Sequence, residues 1–257
     1  MIRLHRPGRP QQLTDVEKDR LTKEFINNKK NVWAKSYIKS ALLKMSHNKC
    51  AYCECKLDKE SQYMEVEHFL PKDDYPNQVV EWDNLLPSCK RCNSTKRKHD
   101  SNIEPIINPA NDKPNEHLTM YNSYWIRGKD QKGKTSVSVL NLNQIDRLVQ
   151  VRMNIGVQAI QTIESLLDRA ENFNNGTDST ARNRSALING SIQLLKEAQP
   201  DAQFSATVAS ILFTNTDFYR LKEIMTNCDL WEYEHQNLLA TAEKNALIVP
   251  QKTSTVI

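Results

Sequence analysis

"WDNLLPSCKRCNSTKRK", residues 82–98, is the stretch on which the fold turns. It opens as extended chain, reaches a Cys-x-x-Cys pair at Cys89 and Cys92, and is expected to become helical after Asn93. A two-residue spacer lets two thiolates converge on one ion at about 2.3 Å, and two such knuckles complete a tetrahedron. The other knuckle lies upstream, "CAYC" at residues 50–53. Cys50, Cys53, Cys89 and Cys92 are therefore read as a structural Zn²⁺ site, which does no chemistry because no coordination position stays open. A Cys-x-x-Cys pair also suits a redox function, but that needs a βαβ context that this region lacks. Cys55 is read as a spare thiol and Cys228, near Leu230 and Trp231, as a core residue.

Between the knuckles runs "YMEVEHFLPK", residues 63–72, whose alternation reads as a strand stopped by Pro71. Tying residues 50–53 to residues 89–92 folds this strand back beside the second knuckle. That brings Glu67, His68, Asn84 and Asn93 together. With zinc on sulfur, these oxygen and nitrogen groups suit a second, hard ion such as Mg²⁺ or Mn²⁺. An acid–His dipeptide by itself is an ordinary exposed strand pair; the frame around it is what gives it weight. Lys90, Arg91, Lys96, Arg97 and Lys98 flank Asn93. Such a run is a solvated face in most settings, and beside a hydrolytic site it reads as a phosphate-binding rim, with Lys72 and Lys96 the foremost contacts. His99 is read as a surface residue after the basic run, and His5, His47, His117 and His235 carry no recognisable spacing.

The combination "CAYC…VEHFLPK…WDNLLPSCKRCNSTK" resembles the HNH endonucleases with a zinc-supported ββα-metal core. "YIKSALLKMSHNKCAYCE", "INPANDKPNEHL" and "VLNLNQIDRLVQVR" extend the likeness to about residue 152, toward the HNH component (PtuB-like) of Septu-type and retron-associated antiphage defence systems. The resemblance implies a phosphodiester hydrolase. His68 is then the general base, Glu67 and Asn93 hold the single catalytic metal, and Asn84 holds the loop and orients His68. The family commonly has Asp before the His; Glu67 is one methylene longer, and Glu65 is the alternative carboxylate. The implied substrate is nucleic acid, DNA first, and the implied partner is a PtuA-like ATPase of the same defence system. The rival readings are an RNA nuclease acting for example on tRNA, and a zinc-dependent nucleic-acid adaptor without catalysis.

The flanks are helical. "LTDVEKDRLTKEFINN" sets Thr14 and Glu17 in capping-box spacing and predicts a helix over 15–26; "VWAKSYIKSALLKM" predicts a second, with Trp33, Tyr37, Ile38, Leu42 and Met45 as its buried stripe. "TSVSVLNL" alternates as a strand, expected to pair with "HLTMYNSYWI" across the loop "RGKDQKGK". Beyond Asn143 the period is helical. Ile145, Leu148, Val149, Met153, Ile160, Ile163 and Leu167 form one expected stripe, and "PQKTSTVI" is expected to fray.

The expected architecture is α+β, mainly helical. An N-terminal helical segment covers 1–47 and the nuclease core 48–105. A connector with a β-hairpin covers 106–142, and a helical region, suited to docking a partner, covers 143–257. Hydrophobic content of 39% with 26% charge fits a globular chain and argues against wholesale disorder. The N-terminus reads as no signal peptide and no segment approaches the roughly 20 apolar residues of a membrane span, so a reducing cytoplasm is expected. A net charge of +4 permits a nucleic-acid partner without demanding one.

Overall fold

A computed structural model describes residues 1–57, 63–121 and 124–248. The chain divides into two compact units, Met1–His117 with Gly128–Gln144, and Leu118–Arg127 with Ile145–Ile257.

In the first unit, α1 (Asp15–Asn28) starts where Thr14 Oγ1 accepts from the Glu17 amide at 3.2 Å, and it buries Leu21 and Phe25. It stops at Lys29, whose φ of 53° is left-handed. Helix α2 (Ser36–Met45) buries Ile38, Leu42 and Met45, while Trp33 lies ahead of it. His47 and Asn48, both left-handed, turn the chain into Cys50. Strand β1 (Met64–His68) pairs antiparallel with β2 (Leu85–Cys89), Glu67 opposite Leu86 and His68 opposite Leu85.

Helix α3 (Lys90–Lys96) follows β2 without a loop. It begins four residues earlier than the sequence suggests, because Cys89 Sγ accepts the Cys92 amide at 3.4 Å and acts as its N-cap. A knuckle sulfur thus serves as a helix cap. Two further helices, α4 (Pro114–His117) and α5 (Gln131–Val139), complete the unit.

The α5 segment corrects the strand expected at "TSVSVLNL". Asp130 Oδ1 takes the Gly133 amide at 2.7 Å and starts a helix instead. Gly133 is needed there, since a Cβ would lie 2.1 Å from the His117 carbonyl oxygen. Ser136 is fully buried, bonding Lys132 O within the helix and the Ile107 amide beyond it. Its alternation with valine was therefore no record of a sheet face. The strand pair that does form is shorter: β3 (Leu118–Met120) with β4 (Ile126–Gly128).

The second unit is a helical bundle: α6 (Gln150–Asn174), α7 (Ala181–Lys196), α8 (Ser205–Leu212), α9 (Thr216–Asn227) and α10 (Tyr233–Asn245). Helix α6 packs on α7, α8 and α9, and α10 on α7 and α8. Its core includes Ile163, Leu166, Leu187, Leu195, Leu212, Phe218, Leu221 and Met225. A π-turn at Ile145–Val149 precedes α6 and offsets the stripe expected there. Ile145 and Met153 are exposed, and the buried line of α6 runs through Arg152, Gly156, Ala159, Ile163, Leu166 and Ala170. Cys228 is half-buried against this core rather than within it. The tail expected to fray, residues 250–257, lies outside the described residues. No described helix is long and apolar enough to cross a membrane.

Candidate active site and thiol cluster

The thiols fix the frame of the site. The sulfurs of Cys50, Cys53, Cys55 and Cys89 lie within 4.8 Å of one another, all buried. Cys53 and Cys89 are 3.8 Å apart, the edge of a sulfur tetrahedron with bonds of about 2.3 Å, which is about 3.8 Å. Cys92 stands beside this group at the head of α3, its amide bonded to Cys89 Sγ at 3.4 Å and its sulfur met by Arg91 Nη2 at 2.9 Å, while Cys55 joins the closely grouped thiols. Cys55 is no spare thiol: a tight turn returns it, with the Cys50 amide bonded to Cys55 O at 2.9 Å and Glu54 between them at φ 67°. The donor set is soft and closed, which fits a structural zinc ion. The Ala51 amide donates to Pro87 O at 2.9 Å, tying the first knuckle to β2.

Helix α3 lies along β1, and two pairs of side chains meet across them. Asn93 Nδ2 donates to Glu65 Oε2 at 2.6 Å, and one turn later Lys96 Nζ reaches Glu67 Oε1 at 2.8 Å. Glu67 and Lys96 are both buried, and Lys96 also donates to His68 O at 2.9 Å. Burial pushes the Glu67 pKa up to about 7, with the Lys96 charge opposing it. Oε1 has no aligned hydrogen bond, so charge alone holds it.

The His68 ring packs edge-on against Trp33, centroids 4.9 Å apart, and is 8% exposed. Its Nε2 lies 2.9 Å from Val79 O. A carbonyl oxygen only accepts, so Nε2 carries the proton and Nδ1 keeps its lone pair. Burial lowers the ring's pKa to about 4, leaving it neutral near pH 7. Asn84, buried, closes the loop from Phe69 to Leu85. Its Oδ1 accepts from the Leu70 amide at 2.7 Å, and its Nδ2 donates to Leu70 O and Gln78 O. Val79 is carried by that loop.

The basic run divides. Lys90 and Arg97 are exposed, and Lys98 pairs with Asp73 at 2.9 Å. Lys72 sits over the Trp33 ring, 5.2 Å from its centroid. Two expected rim contacts are corrected. Lys96 is inside the protein, committed to Glu67 and His68 O. Arg91 bonds Leu140 O, Asn141 O and Cys92 Sγ, so its guanidinium joins α5's end to the thiol cluster. His99 bonds Glu104 O at 2.7 Å on the same loop.

Sequence reasoning missed Trp33, which walls the His68 ring, and Cys55. It also missed Arg6, whose guanidinium bonds Trp82 O and Leu85 O and braces the entry to β2. No spacing pointed to Trp33 or Arg6. For Cys55, the one signal was its nearness to Cys53.

Residues 50–99 match the family model described as HNH endonuclease. The chain is 60% identical to "Septu protein PtuB" of Bacillus thuringiensis, over 97% of this chain and 96% of that protein. It is 28% identical to "Septu protein PtuB" of Bacillus mycoides (strain KBAB4), over 65% of this chain and 72% of that one. No solved structure matches. The chain belongs to the PtuB family of Septu proteins, and its thiol-framed β1–β2–α3 element is an HNH endonuclease domain, the mark of a phosphodiester hydrolase.

Proposed function

We propose that the chain hydrolyses DNA phosphodiesters as the nuclease of an antiphage defence system, in the cytoplasm, under the control of a PtuA-like ATPase. The defence role and the ATPase rest on the family resemblance. The observation that carries the chemistry is the Val79 hydrogen bond to His68, which leaves Nδ1 as a proton acceptor on a neutral ring. In this reading His68 takes the proton of an attacking water, a new P–O bond forms, and the ester P–O bond breaks. Asn84 fixes the loop that supplies Val79 O, and Lys96 anchors the end of β1 through His68 O.

For the divalent ion, Mg²⁺ or Mn²⁺, the hard-oxygen pair that fits is the Glu65 carboxylate with Asn93 Oδ1. The two side chains already meet, and Nδ2 is the amide atom engaged between them. Glu67, expected from the family pattern, faces Lys96 instead. A bound divalent ion would stabilise the charge that builds on the leaving oxygen. Zn²⁺ would occupy the thiol cluster and hold β2 and α3 to the first knuckle.

The test is cleavage of DNA and RNA at equal concentration with Mn²⁺, comparing the wild type with His68→Ala. We expect DNA cleavage that the variant loses by about 100-fold or more while still binding DNA. Equal activity in both proteins would refute the assignment of His68. Preferential cleavage of RNA would replace DNA as the substrate.

A further inference from the structure

We propose that Trp33 is a positioning residue of the active site: its indole holds the His68 ring at a fixed tilt on the Val79 bond and keeps the Lys72 ammonium beside that ring. The proposal rests on the reading of His68 as the proton acceptor. Its basis is what Trp33 touches. The His68 ring meets the indole at 89°, centroids 4.9 Å apart, and Lys72 Nζ stands 5.2 Å from the centroid of the same indole. Trp33 is itself held in place. Phe25, buried on α1, packs on it at 75° with centroids 5.8 Å apart. The turn that carries Trp33 is closed by Asn31 Oδ1, which accepts the Ala34 amide at 3.2 Å.

His68 and Lys72 are the two ends of one short segment, and its backbone is fixed without Trp33. Lys96 donates to His68 O, and Ser101 Oγ donates to Phe69 O at 3.1 Å. The Phe69 amide donates to Asn84 O at 2.9 Å, the Asn84 side chain takes both backbone polar groups of Leu70, and Pro71 O accepts the Tyr75 amide at 2.8 Å. Every carbonyl from His68 to Pro71 therefore has a donor. What these bonds leave free is the rotation of the two side chains. The Val79 bond pins one imidazole nitrogen, and a ring held at one atom still pivots on it. The indole supplies the second point of contact, and so aims Nδ1. Aim matters, because a misplacement of about 1 Å at the reacting groups costs on the order of 100-fold in rate. An indole holds an ammonium without neutralising it, so the Lys72 charge stays available to a phosphate.

The experiment uses the full chain with DNA and Mn²⁺, in wild type, Trp33→Leu and Trp33→Phe. Leu fills the space with apolar atoms but carries no ring; Phe restores one. We expect Trp33→Leu to lower kcat by about 100-fold with KM raised no more than about 3-fold, and Trp33→Phe to recover most of kcat. Long-range ¹H–¹⁵N correlations report the His68 tautomer and need no substrate. Nε2–H alone is expected in wild type and Trp33→Phe, and a mixture of both tautomers in Trp33→Leu. Wild-type kcat with a single tautomer in Trp33→Leu would make Trp33 ordinary packing and overturn the proposal. A loss that lies wholly in KM, or that Trp33→Phe does not recover, would overturn it equally. Should Trp33→Leu fail to fold, the wild type decides. Nuclear Overhauser contacts between the His68 ring and indole protons, together with a single Nε2–H tautomer, support the proposal, and the lack of either refutes it. His68→Ala that cleaves like the wild type would instead remove the reading of His68 on which the proposal rests.

Discussion

Asn93 Nδ2 and Glu65 Oε2 lie 2.6 Å apart, and three residues on, the Lys96 ammonium meets Glu67 at 2.8 Å. Two residues of strand advance by roughly 6.6 Å, and three residues of helix by about 4.5 Å. The long Lys and Glu side chains make up the difference, so the two pairs set the register of α3 on β1. The outer pair is half-exposed and has an amide oxygen to spare; the inner pair is buried and charge-matched.

This division of labour separates the two glutamates experimentally. Glu65→Gln and Asn93→Ala are each expected to lower Mn²⁺-dependent cleavage by about 100-fold and to leave melting almost unchanged. Glu67→Gln is expected to act on melting more than on the Mn²⁺ concentration needed for half-maximal rate. A metal requirement shifted by Glu67→Gln and untouched by Glu65→Gln would return the ligand role to Glu67.

The buried pair makes a stability prediction. Lys96→Met leaves the Glu67 carboxylate without its charge partner in the interior and should cost about 3–5 kcal/mol in chemical denaturation. Adding Glu67→Gln to Lys96→Met should recover a large part of that loss, because no unpaired charge remains. Two independent, additive losses would show that Glu67 and Lys96 do not act as a pair.

What could be read beforehand followed from how local each signal is. The two knuckles, β1 and the α1 cap were legible, because spacer length, alternation and a Thr-to-Glu interval act within a few residues. "TSVSV" failed because its serines satisfy themselves inside a helix, a choice made by Asp130 and by contact with Ile107, 29 residues away from Ser136. The basic run was legible as charge but not as direction. Lys96 turns inward because Glu67 needs a cation, and Arg91 because α5 ends where it can reach its carbonyls. The packing of Trp33 on His68 has no trace in the sequence at all.

The same sorting of lysines and arginines can be measured through salt. With the cleavage-deficient His68→Ala background, Lys90→Ala and Arg97→Ala should each weaken DNA binding regardless of sequence. Each should also reduce the slope of log K against log salt by about 1. Lys96→Met should leave that slope where it was, since its ammonium never meets solvent. A slope that falls with Lys96→Met would show that the buried lysine becomes exposed in the complex.

His235 in the helical unit gives a prediction about pH. It is fully buried, its Nδ1 accepts the Glu232 amide at 3.1 Å, and its Nε2 lies 2.8 Å from Ser191 Oγ. The Ser191 hydroxyl donates to Leu187 O at 2.7 Å, so its oxygen accepts the Nε2 proton and the ring is a neutral tautomer. Protonating Nδ1 would set two N–H groups against each other. Burial accordingly lowers the His235 pKa below 6.5, with the charges of Glu232 and Glu234 opposing. The unfolded chain therefore binds a proton that the folded one does not, and stability present above pH 6.5 is lost as the pH falls below it. Thermal melting at pH 7.5 and pH 5 should show a drop in the wild type that His235→Gln reduces. An equal drop in both proteins would place the acid sensitivity elsewhere and leave His235 without a part in it.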